Sequence, residues 1–385
     1  MTDNRAEIHS ICIDKNIPFA TFRLPGQEGF TTYIQKSPQS KEWKSIQDIT
    51  EKKGFIMAPF DTRNGKKYIM VKPDIVATEK SDLESLAAEL NELPSNPCPE
   101  WDLEEPVVTE HSEYIDQVQT IKNDISRGCF QKSVLSRIKR VNGQYMHLIT
   151  QIFEEVCRTH PNAFTYIFKS DSHFWVGASP EPLLRLSEGN TSTVSLAGTR
   201  SYSEMNMQPV NWTLKEVLEQ EYVTKHIHDV LRAFKVRDYR VTSPYVKKAG
   251  DLVHLRTDFK FSFDQISSRV WDFLDTLHPT PAVAGQPKDE AVSYLKKLES
   301  HDREYYAGFL GPVVSDKRID LFVNLRCMKI TPSYLSLFVG GGITLESDPK
   351  DEWDETQLKA RSLLNIIEKI GRQFNDQSTR KAAHN

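Results

Sequence analysis

Two acidic pairs, far apart in the chain, have the spacing to hold a cation. One is Glu216-x-x-Glu219, within Leu214-Lys-Glu-Val-Leu-Glu-Gln-Glu-Tyr-Val223. The other is Glu352-x-x-Glu355, within Asp348-Pro-Lys-Asp-Glu-Trp-Asp-Glu-Thr-Gln-Leu-Lys359. Both segments read as helices, and residues three apart share a helix face. Each pair therefore presents two carboxylates side by side. Two such faces brought together repel each other unless a cation fills the space between them. A nest of carboxylate oxygens with room for water and substrate suits Mg²⁺. The same acids also have plainer uses. Thr213-x-x-Glu216 is a capping-box pattern. Asp348-Pro349 followed by acids is a good helix start.

The elements that must position these acids can be read from patterning. Apolar residues at Leu214, Val217, Leu218, Val223, Ile227, Val230, Leu231 and Phe234 recur with helical period over 213–234. A second helix starts at Pro349, with 374–385 left as a polar tail. Residues 1–90 read as short strands with polar turns. Segment 91–110, with four prolines and an acidic bias, reads as a connector. Then come a helix at 111–127, a short strand from Lys132, a helix at 146–159, and strands Ala163–Lys169 and His173–Ala178. The runs 321–330 and 334–339 read as strands, and Gly340-Gly-Gly342 reads as the turn after them. No internal repeat appears. Strands and helices mix without strict alternation, which predicts an α+β fold with antiparallel sheets. The expected organisation is a strand-rich part, 1–110, belonging to the same domain as a catalytic region, 111–373.

Composition narrows the function classes. The chain has 385 residues, 38% apolar and 26% charged, with a net charge of −4. That balance offers no electrostatic case for nucleic acid or membrane binding. Cys12, Cys98, Cys129, Cys157 and Cys327 are scattered without metal spacing, which suggests a reducing compartment. No stretch reaches the ~18 apolar residues of a membrane span, and the first residues lack a signal-peptide pattern. The expectation is a cytoplasmic protein, a monomer or weak dimer, acting on a small molecule.

Eight motifs then occur in one order over residues 112–371. They are Lys132-Ser-Val-Leu-Ser-Arg137, Gly177-Ala-Ser-Pro-Glu-Pro-Leu-Leu-Arg185, Ser195-Leu-Ala-Gly-Thr-Arg200 and His278-Pro-Thr-Pro-Ala-Val-Ala-Gly-Gln-Pro-Lys288. Asp302-Arg-Glu-Tyr-Tyr-Ala-Gly308, Asn324-Leu-Arg-Cys327, Gly340-Gly-Gly-Ile-Thr-Leu-Glu-Ser-Asp-Pro349 and Glu352-Trp-Asp-Glu-Thr356 with Lys359 follow. In these the chain resembles the chorismate-utilising enzymes: the isochorismate, salicylate, anthranilate and aminodeoxychorismate synthases. The resemblance implies two large antiparallel sheets flanked by helices, with the site in a cleft between them. It implies chorismate as substrate and Mg²⁺ as cofactor.

Within that family the likeness is strongest to isochorismate synthases. Members that add ammonia usually carry Gln where Lys132 stands. Adding water needs a base, and a lysine of lowered pKa can be one. Salicylate and anthranilate synthases, which also eliminate pyruvate, tend to have Thr where Ala282 stands. Gln220 departs from the His of the isochorismate-synthase pattern. The rival readings are a salicylate synthase and a catalytically silent, ligand-binding relative.

The resemblance also implies roles. Lys132 is the expected base. To be neutral near pH 7 its pKa must fall roughly 3 units from about 10.4, at a cost of about 4 kcal/mol; burial would supply the shift. Glu181 is the expected acid and needs the opposite shift. Glu219 and Glu355 are expected to bind Mg²⁺, with Glu216 and Glu352 alongside, directly or through water. Arg326 and Tyr306 match positions that hold the enolpyruvyl carboxylate. Gly198, Thr199, Gly340 and Gly342 are expected to line the pocket. Lys359 is expected to contact a carboxylate. Several of these have simpler readings: Tyr306 as core packing, Lys359 as a surface partner of Glu355, and the glycines as a tight hairpin exit.

Overall fold

The computed structural model describes residues 4–382, apart from 79, 102–103, 202–211 and 250–251. Among the described residues, two large antiparallel sheets face one another. One has nine strands, in the order β15 (Gly285–Gln286), β7 (Lys132–Asn142), β19 (Tyr334–Ile343), β18 (Cys327–Ile330), β9 (His173–Ser179), β8 (Phe164–Ser170), β1 (Phe19–Arg23), β2 (Thr31–Ile34) and β6 (Ile75–Ala77). The other has ten. Nine follow the order β12 (Tyr239–Val241), β14 (Leu252–Ser262), β11 (Asn190–Ser201), β10 (Pro182–Ser187), β17 (Arg318–Val323), β16 (Phe309–Ser315), β4 (Gly54–Ala58), β5 (Tyr68–Val71) and β3 (Lys41–Trp43). The tenth, β13 (Tyr245–Ala249), pairs with β14.

Alternation along the strands builds two cores at once. In β8, Phe164, Tyr166 and Phe168 point into the core between the sheets, while Ile167 points to the outer face. In β9, Trp175 faces inward, and Phe174, Val176 and Ala178 face outward. Both faces are buried, which is why these strands read as continuous apolar runs. The outer face is covered by α1 (Asn4–Asp14), α2 (Lys80–Glu92), α4 (Ile149–Thr159) and α8 (Pro349–Ala382). Against α8 and β7 packs α3 (His111–Ser126), through Tyr114, Val118 and Leu135. Helix α5 (Leu214–Ala233) lies on β11 and β14 beside α6 (Val270–Leu277), and α7 (Lys288–Leu298) lies on β7 and β15.

Some expectations need correction. Helices α1 and α2 stand where only short strands were read. Residues 80–92 are rich in Leu, Ala and Glu, good helix formers that outweigh their polarity. Helix α8 runs on to Ala382, through the stretch read as a polar tail. The run 321–330 is not one strand. It breaks at Asn324-Leu-Arg326, and Arg326 sits at φ 48°, in the left-handed region. That break moves the chain from one sheet to the other. The Ser179-Pro180-Glu181 segment does the same between β9 and β10. Proline cannot donate to a strand ladder, so Pro180 favours leaving the sheet there.

The N-terminal strands lie inside the same sheets. Strand β1 pairs with β8, and β4 pairs with β16.

Candidate active site

The two crossings lie against each other. Ala178 N donates to Arg326 O at 3.0 Å, and Val323 N donates to Glu181 O at 3.0 Å. Glu181 and Arg326 are thereby brought to the same opening between the sheets. They line a cavity of about 110 Å³ together with Lys132, Glu219, Gly198, Tyr306, Gly340, Gly342, Glu355 and Lys359. Ala282 and His254 line it too. Thr199 lies in β11 beside Gly198, with its side chain outside the described residues.

Lys132 opens β7 and is 1% exposed. Its Nζ lies 3.5 Å from Glu219 Oε2. An ion pair at that range gives about 4 kcal/mol at an effective dielectric of 20, while burial costs several kcal/mol per ion. Burial wins: it lowers the lysine's pKa, although Glu219 pulls the other way. Glu181 is 3% exposed, and burial pushes its carboxyl up to about 8, against the pull of Lys132 and Arg256. A base pushed down and an acid pushed up, facing one cavity, are an acid/base pair in kind.

Arg326 brings a buried positive charge to the same cavity. Burial lowers the Arg326 guanidinium to about 10. Its Nη2 lies 3.1 Å from His254 Nε2, and His254 Nδ1 lies 2.9 Å from Gly198 O. A guanidinium only donates, so Nε2 accepts and Nδ1 carries the proton. Burial, with Arg326 next, holds this imidazole down at about 3, so it stays neutral. His254 was not singled out from the sequence. A lone His in the apolar strand stretch Leu252-Val-His-Leu255 carries no spacing signal.

The acidic residues do not all converge. Glu216 is held at the rim. Its Oε1 accepts from Arg200 Nε at 2.7 Å, and its Oε2 accepts from Thr213 N and Oγ1, each at 2.8 Å. Those are the capping contacts its spacing allowed for. Glu219, Glu352 and Glu355 do gather beside β19. Glu352 Oε2 is buried with no hydrogen-bond partner. A Cβ on Gly341 would stand 3.2 Å from it, and one on Gly342 would stand 2.8 Å from Glu219 Oε2. Close approach of carboxylates, rather than a turn, is what Gly341 and Gly342 serve, while a Cβ on Gly340 would meet Leu135 O at 2.8 Å and the Tyr306 hydroxyl at 3.0 Å. Gly198 differs: its φ of +67° favours glycine in its own right.

Lysines balance these acids. Lys359 Nζ binds Glu355 Oε1 at 2.7 Å and donates to Gly340 O at 2.8 Å. Lys215, which the sequence reading passed over, binds Glu352 Oε1 and lies 3.7 Å from Glu219 Oε1. Burial raises the pKa of Glu352, opposed by Lys215 and helped by the charge of Glu355. For Glu355, burial also acts upward, but Lys359 and Lys215 outweigh it and hold it low. Among the described residues, no three metal-ligating side chains are already drawn close enough to hold an ion. The donor set still fits Mg²⁺: hard carboxylate oxygens, one of them a buried orphan, at the edge of the cavity.

Gln220 turns away from the cavity. Its Nε2 donates to Ser195 O at 3.2 Å and Thr257 Oγ1 at 3.1 Å, tying α5 to β11 and β14.

Fold and site together define a buried, enzyme-like cleft lined by titratable side chains, and comparison with known proteins gives the lineage. The chorismate binding enzyme family matches residues 9–368, and the chain belongs to that family. Isochorismate synthase EntC of Escherichia coli K12 is 31% identical over 243 residues, 61% of this chain and 62% of EntC. Isochorismate synthase MenF of Bacillus subtilis is 25% identical over 261 residues, 66% of this chain and 55% of that one. The matches thus span between about half and two thirds of these relatives. The structure of MenF, the menaquinone-specific isochorismate synthase of E. coli, superposes with a TM-score of 0.75 at 20% identity. The superposition covers 94% of this chain and 91% of that one, and shows the shared two-sheet fold.

Proposed function

We propose that the chain is a Mg²⁺-dependent isochorismate synthase, converting chorismate to isochorismate in the cytoplasm as a monomer or weak dimer. The observation that carries this reading is the pairing of buried Lys132 with buried Glu181 across one cavity, their pKa values displaced in opposite directions. The names of the relatives support it. Ala282, rather than Thr, in the lining supports a reaction that leaves the enolpyruvyl group in place.

Neutral Lys132 takes a proton from water as its oxygen bonds to C2 of the ring. The two ring double bonds each shift by one carbon. The C4–O bond breaks, and Glu181 gives its proton to the departing hydroxyl, which leaves as water. One water enters and one leaves, so the product is an isomer. Arg326, with Tyr306 beside it, holds the enolpyruvyl carboxylate, the guanidinium offering a fork of donors. Lys359 and the β19 glycines face the rest of the substrate. Glu219, Glu355 and Glu352 would hold Mg²⁺, with Glu216 behind them. The ion supplies positive charge for the ring carboxylate.

The test is to incubate the purified chain with chorismate and Mg²⁺ and couple pyruvate to its reduction by NADH. Chorismate should be consumed with isochorismate as product and no NADH signal. Pyruvate in step with chorismate loss would instead make the chain a salicylate-forming enzyme. No consumption at all would make it a silent relative.

A further inference from the structure

The carboxylates of α5 and α8 already share a cation from the chain itself. Lys215 sits between Glu352, whose Oε1 it binds, and Glu219, whose Oε1 is 3.7 Å away. Resting on the Mg²⁺ reading above, we propose that Lys215 is a built-in counter-ion. It joins the carboxylates of α5 and α8 when no metal is present, competes with Mg²⁺ for their oxygens, and swings out when the ion enters.

Three observations point to this residue rather than to its neighbours. First, Lys215 is the second residue of α5, in the turn just after the cap Thr213. A cation there opposes the helix dipole, which favours acids at that end. Helix stability therefore does not account for a lysine at this place, whereas the contact with Glu352 does. Second, the other two lysines are tethered. Lys132 is 1% exposed, and Lys359 also donates to Gly340 O at 2.8 Å. The ammonium of Lys215 contacts carboxylates alone among the described residues, and its side chain is 20% exposed. Leu214 at 65% and Val217 at 36% exposure show that this end of α5 meets solvent. Third, Glu352 offers Lys215 only one oxygen. Its other oxygen is buried without a partner. One ammonium leaves that acceptor unmet, whereas a divalent ion accepts several oxygens at once. An ammonium and Mg²⁺ on the same carboxylates would repel, so they take turns.

The test needs no substrate. Metal-free wild type, Lys215→Gln and Lys215→Arg are titrated with MgCl₂ by calorimetry, and each is melted in EDTA and in Mg²⁺. Lys215→Gln should bind Mg²⁺ roughly tenfold tighter, a usual size for coupling between two competing sites. It should melt below wild type in EDTA and gain more from Mg²⁺. Lys215→Arg, which keeps the charge, should track wild type on both readouts. Mg²⁺ binding by Lys215→Gln no tighter than by wild type overturns the role of Lys215 and leaves the metal reading standing. No binding heat from wild type or variant sinks the metal reading, and this inference with it. A Lys215→Gln protein that folds only when Mg²⁺ is present supports the proposal. If it folds in neither buffer, Lys215→Met, which keeps the aliphatic stem, replaces it in the same comparison.

Discussion

At the scale of single residues, the proposed chemistry rests on two side chains that water would hold in the wrong protonation state. In the proposed reaction Glu181 must be protonated to act, and burial raises its carboxyl to about 8. The competent form therefore dominates below that pH and is lost above it. We expect kcat/KM for chorismate, which reports groups on the free enzyme, to fall tenfold per pH unit above about 8. The residual rate of Glu181→Gln should lack this limb. Lys132→Ala and Glu181→Gln should each lower kcat by about 10²–10⁴, with a smaller change in KM, since neither holds a carboxylate. Lys132→Ala turning over at the wild-type rate would remove the lysine from the mechanism. Arg326 is proposed to bind substrate instead. Arg326→Ala should raise KM on the order of 10- to 100-fold, the worth of a charged hydrogen bond, and steady-state kinetics separates the two patterns.

At the scale of elements, the site depends on where the chain leaves one sheet for the other. Glu181 follows β9, and Arg326 precedes β18. The backbone bonds between these crossings, 3.0 Å each, set the spacing of acid and anchor. Strand β19 supplies the opposing floor, where side chains are excluded. In Gly342→Ala the new methyl would stand 2.8 Å from Glu219 Oε2 and 2.9 Å from Lys132 Cε. Both are ends of flexible side chains, so the protein should fold, with circular dichroism unchanged, while turnover falls steeply. Full activity in Gly342→Ala would show that the close approach is unimportant. The elements explain what could be read from sequence. The period of 213–234 exposed α5, and the quoted motifs placed Lys132, Glu181 and Arg326, because each sits in a short run of distinctive residues. Sequence could not show that Glu216 spends its carboxylate on Thr213 and Arg200, since cap and cation ask for the same spacing. Nor could it find His254, whose importance comes from a guanidinium 72 positions away in the chain. The break at Asn324-Leu-Arg326 was hidden because its flanks are both apolar strands, buried in different sheets. The N-terminal helices escaped because their polar faces mask the few residues they bury, such as Ile8 and Leu90.

At the scale of the whole molecule, two sheets close on a cavity whose rim gathers three carboxylates and three lysines from β7, α5 and α8. The lysines pair with these carboxylates directly, so removal of metal should cost activity and not fold. Turnover should stop in excess EDTA and return with Mg²⁺, and Glu355→Gln should be inactive yet melt as one cooperative unit. Unchanged turnover in EDTA would contradict the metal assignment. The proposed reaction interconverts two isomers and does nothing further to them. It is tested most directly by following the reaction by proton NMR from both sides, starting once from chorismate and once from isochorismate, with Mg²⁺ present. Both time courses should converge on one mixture of the two, with no pyruvate resonance. Pyruvate accumulating from either side, or isochorismate left unchanged by an enzyme that consumes chorismate, would contradict it.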